Sequence, residues 1–254
     1  MTVLARIAAA LTLALVAWVA PLRADDNTPT PAEFLESVPA LPREAILRYA
    51  RTDLEEWHYV RTRVSEEGVI VDRHDPTQPG EAHWQLVSID GRAPTREEIE
   101  DYEDERADHS KDDEKARGEE IARVLDPGTV RLVGQEGAAR RFSLGLRSPD
   151  GKRERVFRAL AGELEVVPGP TAHWVREVRV WNQDTLRPYL GVRIDEADLV
   201  FRFTLKDGWV LPAAVEARWS GEFLMLKDIG KQLRFTLTDF RRVGSTTAEM
   251  TALP

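Results

Sequence analysis

The segment LVFRFTLKDGWVLPAAVEARW, residues 199–219, decides the fold. Leu199, Phe201, Phe203 and Leu205 fall on one side of an extended chain and Val200, Arg202, Thr204 and Lys206 on the other, the alternation of a half-buried strand. Asp207-Gly208 then supplies the dipeptide best suited to the positive φ angles of a two-residue hairpin turn. Trp209, Leu211, Ala213, Val215, Ala217 and Trp219 resume the alternation, so two antiparallel strands and their turn are legible directly. Ser220-Gly221 reads as a further reversal into a strand over 223–226, and Leu233, Phe235 and Leu237 alternate with Arg234, Thr236 and Thr238 in a last one. The stretch 173–243 is thus an antiparallel meander with one apolar face.

Working outward, Ile46, Leu47, Tyr49, Ala50 and Leu54 are spaced for one face of a helix over 42–56, with Pro42 at its start, where a missing N–H does no harm. Alternating patterns predict strands over 57–64, 69–74 and 84–89, the last ending at Asp90-Gly91. Thr95-Arg96-Glu97-Glu98 has the form of a capping box and predicts a helix start. From Thr95 to Glu120 there are 13 acids against 5 bases, so the segment predicts a protruding, solvated acidic helix, an insertion over 95–125 that Asp126-Pro127-Gly128 stops. Strands over 129–133, 141–147, 164–167 and 174–181 follow, and 156–160 reads either as strand or as a short helical turn. About ten strands result. The fold class is α+β, mainly antiparallel β.

Residues 1–24 have the form of a secretory signal peptide: Arg6, an apolar run over 7–20, and a small residue at Ala24 where cleavage is expected. The apolar run is shorter than the ~20 residues of a membrane span, and no cysteine follows for lipidation. Export to the periplasm is the implied localisation. Residues 25–40 read as a flexible tether, 41–243 as a single domain, and 244–254 as a disordered tail. Cleavage removes two arginines and no acid, moving the formal charge from −9 to −11, which argues against nucleic acid and an anionic membrane surface as partners. With no cysteine there are no disulfides, zinc–thiolate sites or thiol catalysis, and stability rests on the core.

No nucleophile elbow, phosphate loop, H-E-x-x-H or dinucleotide glycine fingerprint occurs, so no catalytic residue, cofactor or enzyme activity is assigned. Asp72-Arg73-His74-Asp75, with His58 or His83 from neighbouring strands, has the residue types for zinc. However, Asp72 and His74 share a face while Asp75 lies on the other and Pro76 begins a loop, so it reads as a polar strand end and no metal ligand is assigned. The adjacent acid pairs at 97–98, 112–113 and 119–120 diverge around a helix and read as solvated charge. The one positive signal is aromatic. Trp57, Tyr59, Trp84, Phe142, Phe201, Phe203, Trp209, Trp219, Phe223 and Phe235 all lie on predicted strands. They either line a hydrophobic groove on a curved sheet or pack as ordinary core on the helix over 42–56.

The order of elements resembles a known family. A signal peptide, an amphipathic helix, a three-strand meander opening on WHYVRT, a helical interruption and a long meander closing on GWVLPAAVEARWSGEFLMLK and FTLTDFRRV are similar to the periplasmic lipoprotein-carrier superfamily, LolA/LolB-like, and its related envelope-stress regulator. The resemblance spans residues 40–243 and rests on pattern. It implies a half-closed antiparallel barrel with helices on its open side and a cavity for acyl chains, lipid or lipoprotein, with at most transient membrane contact. It places no lipid-handling residue on a numbered position, and the long acidic insertion departs from it. The alternative is a non-catalytic envelope scaffold whose acidic arm binds a protein partner.

Overall fold

The computed structural model describes residues 35–244 apart from 79, 114–123, 149–153, 189–190 and 224–226. The leader, the tether as far as residue 34 and the tail from 245 lie outside the described residues. Ten strands, β1 (Trp57–Ser65), β2 (Gly68–His74), β3 (Trp84–Ile89), β4 (Leu125–Glu136), β5 (Ala139–Leu146), β6 (Leu160–Pro168), β7 (His173–Asn182), β8 (Val192–Lys206), β9 (Trp209–Phe223) and β10 (Lys227–Arg242), form one antiparallel sheet. Its order is β3-β2-β1-β10-β9-β8-β7-β6-β5-β4. All neighbours but one are consecutive in the chain. The exception is β1 beside β10, where Val60 to Val64 pair with Thr238 to Arg234 and join the first meander to the end of the last. The outermost strands β3 and β4 do not pair, so the sheet stays open.

The expected hairpin turn at Asp207-Gly208 is present, with φ of 50° and 81°. The expected reversal at Ser220-Gly221 is not. Both residues lie inside β9, paired to β8 on one side and to β10 on the other. Glycine is needed there for close approach: a Cβ on Gly221 would lie 2.0 Å from the Arg193 carbonyl oxygen. Asp126-Pro127-Gly128, expected to stop the helix, lies within β4, which begins directly after the helical Val124. An edge strand tolerates proline, whose missing N–H can face solvent, and the β4–β5 register shifts after Asp126.

Helix α1 (Ala40–Ala50) buries Pro42, Ala45, Ile46 and Tyr49, an i, i+3, i+4, i+7 stripe. It ends earlier than the periodicity predicts because Asp53 starts a separate one-turn 3₁₀ helix (Leu54–Glu56), its side chain accepting the Glu55 N–H. Leu35 and Val38 are already buried beside α1, so packing begins within the stretch expected to be tether. Arg48 donates to the carbonyls of Gly208 and Ala172, and Thr52 to that of Val210, tying the helix to the β8–β9 turn and the start of β9. Tyr49 meets Phe203 edge-on at 4.6 Å between centroids, a contact worth ~1 kcal/mol beyond its buried area.

Helix α2 (Arg96–Asp113) leads from β3, one edge of the sheet, toward β4, the other. Its capping box forms as expected, with Glu98 accepting from the Thr95 N–H and Thr95 Oγ1 from the Glu98 N–H. Over its first turns the helix is mostly exposed, as its charge predicts, but it does not stand free, because Tyr102 is buried on the sheet. The ambiguous stretch before β6 is a short helix, α3 (Glu154–Arg158), that buries Phe157.

Candidate functional site

The ten aromatic side chains do not share one groove; three apolar clusters divide them. Phe142 and Phe203 pack with α1, Leu164 and Val166. Trp219, with half-buried Phe223 and Phe235, packs with Leu186, Leu199, Ala217 and Leu233. Trp57 and Tyr59, with half-buried Trp84 and Trp209, pack with Leu211 and Phe240. Phe201 touches both of the first two clusters. Pairing runs Phe235 to Val215 to Phe201 across β10, β9 and β8, so these three side chains form a row on one face. All three are only partly buried, whereas the next row on that face, Leu233, Ala217 and Leu199, is buried.

The third cluster lies beside a polar core on β1, β2 and β3. Asp72 is 2% exposed and takes Arg61 in a two-bond pair, Nε to Oδ1 at 3.0 Å and Nη2 to Oδ2 at 2.6 Å. The Tyr102 hydroxyl donates to Asp72 Oδ2 at 3.0 Å, which anchors α2 to the sheet. Burial opposes the charge on Arg61, but Asp72 outweighs it and the guanidinium is held above its ordinary range. Burial, then the Asp72 charge, pushes the Tyr102 phenol up. The Arg61 and Arg106 guanidinium carbons lie 4.4 and 4.2 Å from the Trp84 ring centroid, so one indole receives both cations.

Two residues further along β2, His74 is fully buried, stacked on Tyr59 at 4.9 Å and tilted against Trp84 at 4.9 Å. Glu55 in the 3₁₀ turn before β1, His74 at the end of β2, and His83 at the end of the turn Gly80–His83 before β3 converge at one end of these strands. Their ligating atoms all lie within 4.8 Å of one another. The N–H of Asp75 bonds the His83 carbonyl at 2.7 Å, which holds the second turn against the end of β2.

The four-residue candidate of the sequence reading is thereby taken apart. Asp72 serves Arg61 and Tyr102. Arg73 donates to Gln85, and Asp75 accepts from Thr77 and lies 3.2 Å from His58 Nδ1. The Thr77 hydroxyl, with a smaller contribution from His58, holds the Asp75 carboxyl below its ordinary range. Only His74 and His83 remain as metal-capable residues. Glu55, their partner, carries no motif and stands 19 residues before His74, so only the tertiary fold reveals it.

A shallow open depression of roughly 490 Å³ lies nearby, lined by His58, Thr77, Lys206, Phe240 and Arg241 among others. Its polar rim does not suit an acyl chain. Comparison with protein-family models, curated proteins and solved structures gave no match.

Proposed function

We propose that the protein is an exported, periplasmic, non-catalytic binding or carrier protein for a hydrophobic ligand, an acyl chain, lipid or lipoprotein, held against the apolar face of an incomplete barrel. The observation that carries this reading is the half-buried row Phe235, Val215 and Phe201 beside a buried one. An apolar row left partly open next to packed neighbours suits a linear apolar ligand better than it suits water. In this reading α1 and α2 flank the open side, as the resemblance to the lipoprotein carriers implies, with α2 docked at the β2–β3 end through Tyr102.

Titrating a fluorescent fatty acid into the protein tests it, with Trp219, in the adjoining cluster, as the intrinsic reporter. A saturable shift in emission at micromolar ligand, weakened about tenfold by Phe235→Ser, is expected, because a lost apolar contact of this size costs ~1.4 kcal/mol or more. A flat response to fatty acid and to an acylated peptide overturns the reading.

A further inference from the structure

His74 is wholly buried, yet its Nε2 has no hydrogen-bond partner, one of two such buried side-chain atoms among the described residues. Its other nitrogen, Nδ1, lies 2.8 Å from the carbonyl oxygen of Trp57. A carbonyl only accepts, so Nδ1 carries the proton and the neutral ring presents a lone pair at Nε2. That lone pair faces Glu55 Oε2 at 3.4 Å. An ionised carboxylate also only accepts, so the two atoms repel unless positive charge lies between them. The charge is either a second proton on the ring or a metal ion. His83 separates these choices: its Nδ1 lies 3.8 Å from the same Glu55 oxygen, and a third converging donor is superfluous for a shared proton but is what a metal ion requires.

We propose that Glu55, His74 and His83 form a binding site for a divalent transition-metal ion of the zinc class. Two imidazoles and one carboxylate suit zinc, copper or nickel and not calcium or magnesium, which favour all-oxygen shells. A tetrahedral ion with bonds of about 2.1 Å holds its ligand atoms roughly 3.4 Å apart. The His74–Glu55 separation already has that value. The widest spacing of the three, within 4.8 Å, needs a contraction of up to about 1.4 Å to reach that value. The side chains able to make it are the accessible ones: Glu55 is 41% exposed and His83 26%, while His74 is fixed between two rings. The Trp57 carbonyl takes the role that outer partners of metal-bound histidines usually have, orienting the ring and setting its tautomer. The fourth position opens toward the exposed side of Glu55 and His83, where a water or a ligand atom completes the shell.

Isothermal titration of Zn²⁺ into the untagged, chelator-stripped chain tests the site, with Co²⁺ absorption as a second readout. One equivalent bound, a tetrahedral Co²⁺ spectrum and a rise in Tm with added Zn²⁺ are expected. Glu55→Gln and His83→Gln each weaken binding at least about tenfold, the loss typical of even an outer partner of a metal ligand. Both positions are accessible, so the metal-free Tm of these variants stays close to that of the parent chain, which separates loss of a ligand from loss of the fold. His74→Gln also abolishes binding and lowers the metal-free Tm, because its ring is core. No heat and no cobalt spectrum with the folded parent chain, or binding unchanged in both accessible variants, overturns the site and leaves His74 and Glu55 as a simple ion pair. The result is independent of the fatty-acid titration.

Discussion

Arg61 and Asp72 face each other directly across β1 and β2, joined by paired hydrogen bonds that are part-buried beside α2, with Asp72 itself buried. Two charges withdrawn from water in this way depend on one another more than they strengthen the fold. Asp72→Ala is therefore expected to cost about 3–5 kcal/mol, as it strands the Arg61 cation. The double variant Arg61→Met/Asp72→Leu is expected to be more stable than the Asp72 single variant. Urea unfolding of the parent and the variants gives the coupling; equal losses that simply add would refute the interdependence.

Tyr102→Phe keeps the ring and removes only the bond to Asp72. A hydrogen bond to a charged acceptor is worth about 1.5–3 kcal/mol, so a loss near the lower figure is expected, since Arg61 still holds Asp72. Amide exchange over α2 should accelerate while that of β8 and β9 is unchanged, because the bond docks the helix and not the sheet. Uniform acceleration would show that the helix is not a separate unit.

Gly221→Ala puts a methyl group 2.0 Å from a backbone oxygen and 2.8 Å from the Ile194 Cα. Backbone inside a sheet cannot yield as a flexible side chain can, so a loss of about 3 kcal/mol or more is expected. The neighbouring Ser220→Ala, at an exposed position, should change stability by less than about 0.5 kcal/mol. A Tm comparison of the two variants checks this directly.

The start of α2 should be sensitive to acid. The Arg92 guanidinium, then the Thr95 N–H, hold the Glu98 carboxyl at about 2, well below its ordinary 4.5. Because the folded value is the depressed one, the unfolded chain binds the extra proton first. The stabilisation is complete above about pH 4.5 and fades as the pH falls toward 2. The stability difference between the parent chain and Glu98→Gln should follow that course; a difference independent of pH would contradict it.

The residues that alternate or cap carried their information locally. The β8–β9 hairpin follows from Leu199 to Trp219 with Asp207-Gly208 between them, and the start of α2 from Thr95 and Glu98, because strand period, turn conformation and capping are set by side chains a few positions apart. Gly221 and Pro127 were legible only as breakers. They sit inside strands because the first allows two backbones to approach closely and the second lies on an edge, and neither neighbour is near in sequence. Nothing local marks Tyr102 on its charged helix, since the partner of its hydroxyl, Asp72, stands 30 residues away.

The sequence by itself determined the antiparallel, cysteine-free character of the protein, the turn between β8 and β9 and the aromatic content of its strands, all properties of local pattern and composition. Only the tertiary structure decided that β1 lies beside β10, that the ten aromatic side chains split among three clusters, and that Glu55 meets His74 and His83. Pairing between distant strands depends on the packing of the whole sheet, and convergence of side chains depends on where that pairing brings the strand ends.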